Sequence, residues 1–94
     1  MNPKIYKFLT EIKKVPDIDG AYVEVPYDIK TEFGKGRVKV HATFDGMAYN
    51  GSVVSMGRHA DGSARYMIGV RKAIRAEIGK QPGDYVQVSI CERE

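Results

Sequence analysis

The chain has 94 residues, of which 43% are hydrophobic and 29% charged, and its formal net charge is +3. This length predicts one domain over residues 1–94, and the single cysteine argues against a disulfide framework or a cysteine-rich zinc site. No long apolar run or secretory leader is apparent, so we expect a cytoplasmic protein whose mild basicity permits an anionic partner.

Residues in the first half of the chain predict three strands and one short helix. Alternation of apolar and polar residues places strands over 5–12, 21–25 and 37–44. Pro16-Asp17 and Asp19-Gly20 predict a turn between the first two strands. Asp28 is expected to cap a helix over 29–33, and Gly34 is expected to end it in the left-handed conformation.

The second half predicts three more strands and a second helix. Asp45-Gly46 is typical of a type I′ hairpin turn. The predicted order after it is a strand over 47–56, a polar loop over 57–65, a strand over 66–70, a helix over 71–78 and a strand over 85–90. The polar tail from Cys91 to Glu94 is expected to fray.

Two segments of the chain resemble each other. Val25–Lys35 and Val70–Lys80 share five of eleven residues, and each predicts a strand, a short helix and a terminating glycine. Two such units, about 20–45 and 65–91, are each too small to fold alone and must pack together. Because their crossovers are too short for a parallel sheet, we expect a mainly β, closed or nearly closed barrel of six strands with pseudo-twofold symmetry.

The second unit resembles the signature half of AbrB/MazE-type swapped-hairpin proteins. The matching residues lie within Ile68–Ile90 of this chain and follow the order seen in this group. They are Ile74-Arg75, then Gly79, then Pro82-Gly83-Asp84. Those regulators build one barrel from two chains, whereas this chain carries both halves. Because the duplicated half removes the need for an obligate dimer, we expect a monomer, with weak association as the alternative.

The whole chain is more similar to the domain of unknown function 1905 family. The matching segments, in order over about Lys4 to Ile90, are Val23 to Ile29, Phe33 to Gly36, Asp45-Gly46, Gly69 to Ile78 and Pro82 to Asp84. The resemblance implies a six-stranded closed double-split β-barrel with two short helices, and it implies no chemistry. The polar stretch from Arg58 to Arg65 departs from the family by its length.

Neither metal binding nor catalysis has a recognisable signature in this sequence. His41, His59 and Cys91 are far apart and lack ligand spacing, so no metal or cofactor is predicted. The serines lie outside any nucleophile-elbow context, and neither histidine has an evident partner. We therefore expect a non-enzymatic protein.

Basic residues suggest a binding surface. The candidate anion or nucleic-acid contacts are Arg37, Lys39, Arg71, Lys72 and Arg75. Tyrosines such as Tyr49 and Tyr85 stand near them in the predicted elements. They support the nucleic-acid hypothesis, because aromatic rings stack on bases. A solvated surface of mixed charge explains most of these basic residues equally simply, because acidic residues are dispersed among the same elements.

Two functions follow as hypotheses. By fold analogy with AbrB/MazE barrels, the protein is a binding or regulatory module whose partner is nucleic acid or another protein. Alternatively, it is a small-molecule-binding accessory domain that uses the barrel mouth and the 57–65 loop. The candidate pocket residues for that alternative are Arg58, His59, Arg65 and Tyr66.

Overall fold

A computed structural model describes residues 1–16 and 18–94, so Asp17 of the predicted Pro16-Asp17 turn lies outside the described residues. The strands are β1 (Tyr6–Glu11), β2 (Lys13–Lys14), β3 (Ala21–Val25), β4 (Val38–Phe44), β5 (Met47–Arg58), β6 (Ala64–Gly69) and β7 (Tyr85–Glu92). The helices are α1 (Ile29–Phe33) and α2 (Lys72–Ile78). The sheet order is β1-β7-β4-β5-β6-β3-β2, and every pairing is antiparallel.

The two ends of this sheet are joined through Ile12. β1 and β2 are the outermost strands, yet they are separated in sequence by this one residue, whose side chain is fully buried. Its N–H donates to Asp84 O at 2.8 Å, and its carbonyl accepts from Gly83 N at 2.8 Å. The sheet is therefore a nearly closed barrel. It has seven strands instead of the predicted six, because Lys13–Lys14 leaves the first strand and pairs with β3.

The strand register confirms the pseudo-twofold repeat. β3 of the first unit pairs with β6 of the second, and Val23 lies opposite Ile68, its own counterpart. β4 pairs with β7 in the same way, and Ala42 lies opposite its counterpart Ile90. An antiparallel pair centred on equivalent residues is what a twofold rotation between the two units requires.

In each unit a glycine in the left-handed conformation ends the helix. Asp28 caps α1 by accepting a hydrogen bond from Thr31 N at 3.4 Å, as predicted. Gly34 and Gly79 follow α1 and α2 with φ of +77° and +67°. Glycine adopts this left-handed conformation without the steric cost that a Cβ adds, which explains why both copies of the repeat carry it.

The two hairpins differ in how well the sequence predicts them. Asp45 and Gly46 have φ of +49° and +86°, as the predicted type I′ turn requires. The predicted loop over 57–65 is wrong in extent, because β5 continues to Arg58 and β6 begins at Ala64. The β5–β6 pairing resumes beyond a bulge at Ser55–Gly57. Backbone hydrogen bonds form this pairing without apolar side chains, so the sequence pattern does not predict it.

The expectation of a frayed tail is also wrong for its first two residues. β7 extends through Cys91 and Glu92, which pair with His41 and Val40 of β4. Strand pairing with β4 therefore orders a polar segment that carries no strand signal of its own. None of the helices in the described part of the chain is long and apolar enough to cross a membrane.

Candidate functional site

A groove at the junction of β4 and β7 gathers four cationic side chains. This basic groove has a volume of about 500 Å³ and is lined by Met1, Lys35, Arg37, Lys39, Glu92, Arg93 and Glu94. Arg37 and Lys39 alternate with the buried Val38, so both side chains point away from the core. Arg93 N donates to Lys39 O at 2.9 Å, which continues the β4–β7 ladder beyond Glu92 and sets Arg93 beside Lys39.

Backbone carbonyls hold the Arg93 guanidinium in place. Its Nε donates to Val40 O at 3.0 Å, and one terminal nitrogen donates to Gly51 O at 3.4 Å. None of the ion pairs in residues 1–16 and 18–94 involves Arg37, Lys39 or Arg93. Three cations thus meet in the groove outside any ion pair among the described residues. With Lys35 they outnumber the two glutamates that line it, Glu92 and Glu94, and this excess of positive charge favours binding of an anion.

The fourth cation, Lys35, is neutralised by Glu92. The Glu92 carboxylate accepts from Asn2 N at 2.8 Å and lies 3.1 Å from Lys35 Nζ. Only 6% of the Glu92 side chain is exposed. The Asn2 N–H and then the Lys35 ammonium lower the pKa of the Glu92 carboxyl below its ordinary value of 4.5. Glu92 is therefore a structural anion that fixes the floor of the groove.

This lowered pKa predicts a loss of stability in acid. A carboxyl with a depressed pKa in the folded state stabilises it above the unfolded pKa, and this contribution is lost as the pH falls through the folded value. We expect the free energy of unfolding, measured in urea between pH 6 and pH 3, to decrease below about pH 4.5. Glu92→Gln should decrease less over the same range.

The carboxyls of Glu24 and Asp45 also have lowered pKa values, because each accepts a hydrogen bond from a neighbouring cation, Arg65 and Lys80 respectively. The Glu92→Gln variant should therefore retain part of the acid dependence. Identical pH profiles for the variant and the natural protein would contradict the role assigned to Glu92.

Beyond the groove, the outer face of β7, β4 and β5 carries rows of polar side chains. His41 Nδ1 lies 2.7 Å from Asn50 Oδ1, and Thr43 Oγ1 lies 2.6 Å from Ser89 Oγ. Cys91 pairs directly with His41, although the two residues are far apart in the sequence. This face offers hydrogen-bond donors and acceptors next to the side chains of Arg37, Lys39 and Arg93.

The other predicted cations line a separate groove at the start of α2. This helix groove, of about 300 Å³, is lined by Asp19, Gly20, Ala21, Tyr49, Gly69, Val70, Arg71, Lys72 and Arg75. Arg71 lies over the Tyr49 ring, 5.2 Å from its centroid, and Nε donates to the Tyr49 hydroxyl. Lys72 and Arg75 each lie 3.8 Å from an Asp19 carboxylate oxygen. The five predicted contacts therefore divide between two grooves that share no lining residue.

The predicted pocket residues are divided as well. Arg58 and Tyr66 line a third groove, the hairpin groove, of about 600 Å³. Its lining residues are Asp28, Lys30, Thr31, Gly36, Ser55, Arg58, Ser63, Ala64 and Tyr66. His59 lines an adjacent groove with Tyr27 and Asp28. Arg65 lies on the outer face of β6, where it forms an ion pair with Glu24.

The internal repeat shows which of these charges the fold itself requires. By the register of β4 and β7, the counterparts of Arg37, Lys39 and Arg93 are Tyr85, Gln87 and Asp45. The backbone is equivalent at both places, because Asp45 N donates to Gln87 O at 2.8 Å just as Arg93 N donates to Lys39 O. The same backbone therefore forms at both ends of the ladder, but only one end carries the cations.

Lys35 and Arg93 also line the groove, although the sequence alone does not predict them as groove residues. The alternation of β7, continued past Ile90, places Arg93 on the same face as Gln87 and Ser89, but the polar tail gives no apolar signal to support it. A family model described as Domain of unknown function (DUF1905) matches residues 8–90, which include Arg37 and Lys39 but not Arg93. No curated protein matches the chain.

Proposed function

This chain belongs to the domain of unknown function 1905 family, and from the geometry of its basic groove we propose that it is a non-enzymatic module that binds nucleic acid through the phosphates. The observation that carries the proposal is the meeting of Arg37, Lys39 and Arg93 outside any ion pair among the described residues, in a groove whose four cations face two glutamates, Glu92 and Glu94. Phosphate groups balance the excess positive charge of the groove, and arginine binds them with two parallel hydrogen bonds.

The spacing of the three cations supports a chain of phosphates as the ligand. Lys39 and Arg93 stand on neighbouring strands, which are about 4.8 Å apart, and Arg37 lies two residues from Lys39, about 6.6 Å along the chain. These backbone spacings place the three cations close enough together to contact successive phosphates of one nucleic-acid strand. The adjacent polar face, with His41 and Asn50, supplies hydrogen-bonding groups for sugars or bases.

The repeat argues that these cations are not kept for folding. Tyr85, Gln87 and Asp45 occupy the equivalent places, and the β4–β7 ladder forms there equally well. A cluster that only one of two equivalent sites carries is more readily explained by binding than by stability. Repulsion among three neighbouring cations is itself unfavourable until an anion is bound.

We place this activity in the cytosol. The single cysteine, Cys91, is free and half-buried, as suits a reducing compartment in which structural disulfides are rare. Nucleic acid is available there as a ligand.

A fluorescence-anisotropy titration with mixed-sequence duplex DNA tests the proposal. At about 50 mM salt we expect binding tighter than about 10⁻⁴ M, with a log–log salt slope of about −2.7 if three phosphates are neutralised. Lys39→Ala should reduce that slope by about 0.9, because one phosphate contact is lost.

Lys72→Ala is the matched control, since it removes the same charge from the helix groove. It should leave the salt slope nearly unchanged. Absence of binding at about 100 μM protein would overturn the proposal and leave a protein as the partner suggested by the fold. Equal effects of Lys39→Ala and Lys72→Ala would overturn the assignment to the basic groove.

A further inference from the structure

The hairpin groove lies between α1 and the β5–β6 hairpin, and it shares no lining residue with the basic groove. Its volume of about 600 Å³ is within the range of pockets that hold small molecules. A single small molecule can therefore fill it. The side chains that bear on a ligand are Asp28, Lys30, Ser55, Arg58, Ser63 and Tyr66.

Tyr66 is the residue that marks this groove as a built site. Only 5% of Tyr66 is exposed, and its ring belongs to the core cluster that includes Val25 and Ile68. Its hydroxyl forms no hydrogen bond with any residue that the structure describes. No buried side-chain oxygen among the described residues lacks a partner, so this hydroxyl is open to solvent, and Tyr66 lines the hairpin groove. A rigidly packed ring thus holds at the groove a hydroxyl that has no protein partner among the described residues, and a ligand can take the place of the water bound to it.

Charge in the groove favours an anion. Lys30 and Arg58 take part in none of the ion pairs among the described residues. Arg58 donates through Nη1 to Gly62 O at 2.8 Å, which holds its guanidinium at the hairpin. The carboxylate of Asp28 accepts from Thr31 Oγ1 at 2.9 Å in capping α1 and keeps its charge, so two cations, Lys30 and Arg58, face one carboxylate in the groove.

We propose that the hairpin groove binds a small organic oxyanion, with the anionic oxygens on Arg58 and Lys30 and a hydrogen bond from the Tyr66 hydroxyl. Carboxylates and phosphate monoesters share this chemistry. The Ser55 hydroxyl, opposite Tyr66 in the β5–β6 pair, is placed to bind a further polar atom of the same molecule. This site is separate from the basic groove, and binding of an oxyanion here does not depend on the binding of nucleic acid there.

Calorimetric titration of the full chain with glycerol 3-phosphate and with succinate tests the proposal. We expect saturable binding of at least one probe with Kd on the order of 1 mM, and the stronger probe identifies the anionic group. Tyr66→Phe removes only the hydroxyl and keeps the packed ring, so it should raise Kd about five- to tenfold. Arg58→Gln should raise it about tenfold or more.

Two control variants separate this site from others. Tyr85→Phe removes an exposed hydroxyl elsewhere on the barrel, and Lys7→Gln removes an exposed cation that lines neither the hairpin groove nor the basic groove. Neither should change Kd by more than about twofold, because each lies outside the hairpin groove. Absence of saturable binding of both probes up to about 50 mM would overturn the proposal, as would a Tyr66→Phe variant that binds as well as the natural protein.

Discussion

Replacing Ile29 with alanine is expected to lower the free energy of unfolding by about 2–5 kcal/mol. Ile29 is fully buried, and it is the one buried residue of α1. Alanine at this position leaves a cavity under a helix of only five residues, which has few other contacts to hold it in place. A loss of this size is a large part of the total stability of about 5–15 kcal/mol that small domains have.

The counterpart Ile74→Ala should have a similar effect, toward the lower end of that range, since Ile74 is 7% exposed. Urea unfolding of the two variants, with Glu77→Ala as an exposed control on α2, measures both. The control should stay within about 0.5 kcal/mol of the natural protein. A loss below about 0.5 kcal/mol for either isoleucine would show that the two helices do not occupy equivalent places in the core.

Exchanging Arg37 and Lys39 for their counterparts in the repeat is expected to abolish most nucleic-acid binding and leave the fold intact. The double variant Arg37→Tyr with Lys39→Gln introduces the side chains that Tyr85 and Gln87 present on equivalent backbone. Two lost phosphate contacts should reduce the salt slope by about 1.8 and raise Kd about tenfold to a hundredfold at about 50 mM salt. Stability should change by no more than about 0.5 kcal/mol, because both side chains are exposed on the sheet.

A charge-matched variant makes the exchange decisive. Lys7→Gln with Lys72→Gln lowers the net charge by the same amount at two exposed positions outside the basic groove. Anisotropy should show nearly natural binding for this control. Equal losses in the two double variants would mean that binding depends on overall charge and that the groove has no special role.

Local patterns in the sequence determined much of the fold. Alternation over Val38–Phe44 fixed which side chains face the core, and Asp45-Gly46 fixed the turn that follows. Gly34 and Gly79 marked the ends of both helices, and the repeat around them predicted the symmetry of the barrel. These features depend on the backbone preferences of a few adjacent residues, which is why they can be predicted from a single chain.

Tertiary structure alone decided how the functional side chains are grouped. Lys39 meets Arg93, and His41 meets Cys91, only because β4 and β7 pair in one particular register. That register follows from the packing of both units across the pseudo-twofold axis, and no local periodicity encodes it. The same pairing buries Glu92 and orders the polar end of β7.

The division of the predicted basic residues has the same cause. Arg37 and Arg71 belong to different units of the repeat, but they do not occupy equivalent positions in them, so the barrel places them in different grooves. Tyr66 and Arg58 line the same groove because β5 and β6 pair antiparallel, with a bulge between Ser55 and Gly57. The sequence determined which side chains face outward. Which of them become neighbours depended on contacts between strands that are distant in the chain, because a cross-strand neighbour is set by long-range pairing and not by spacing.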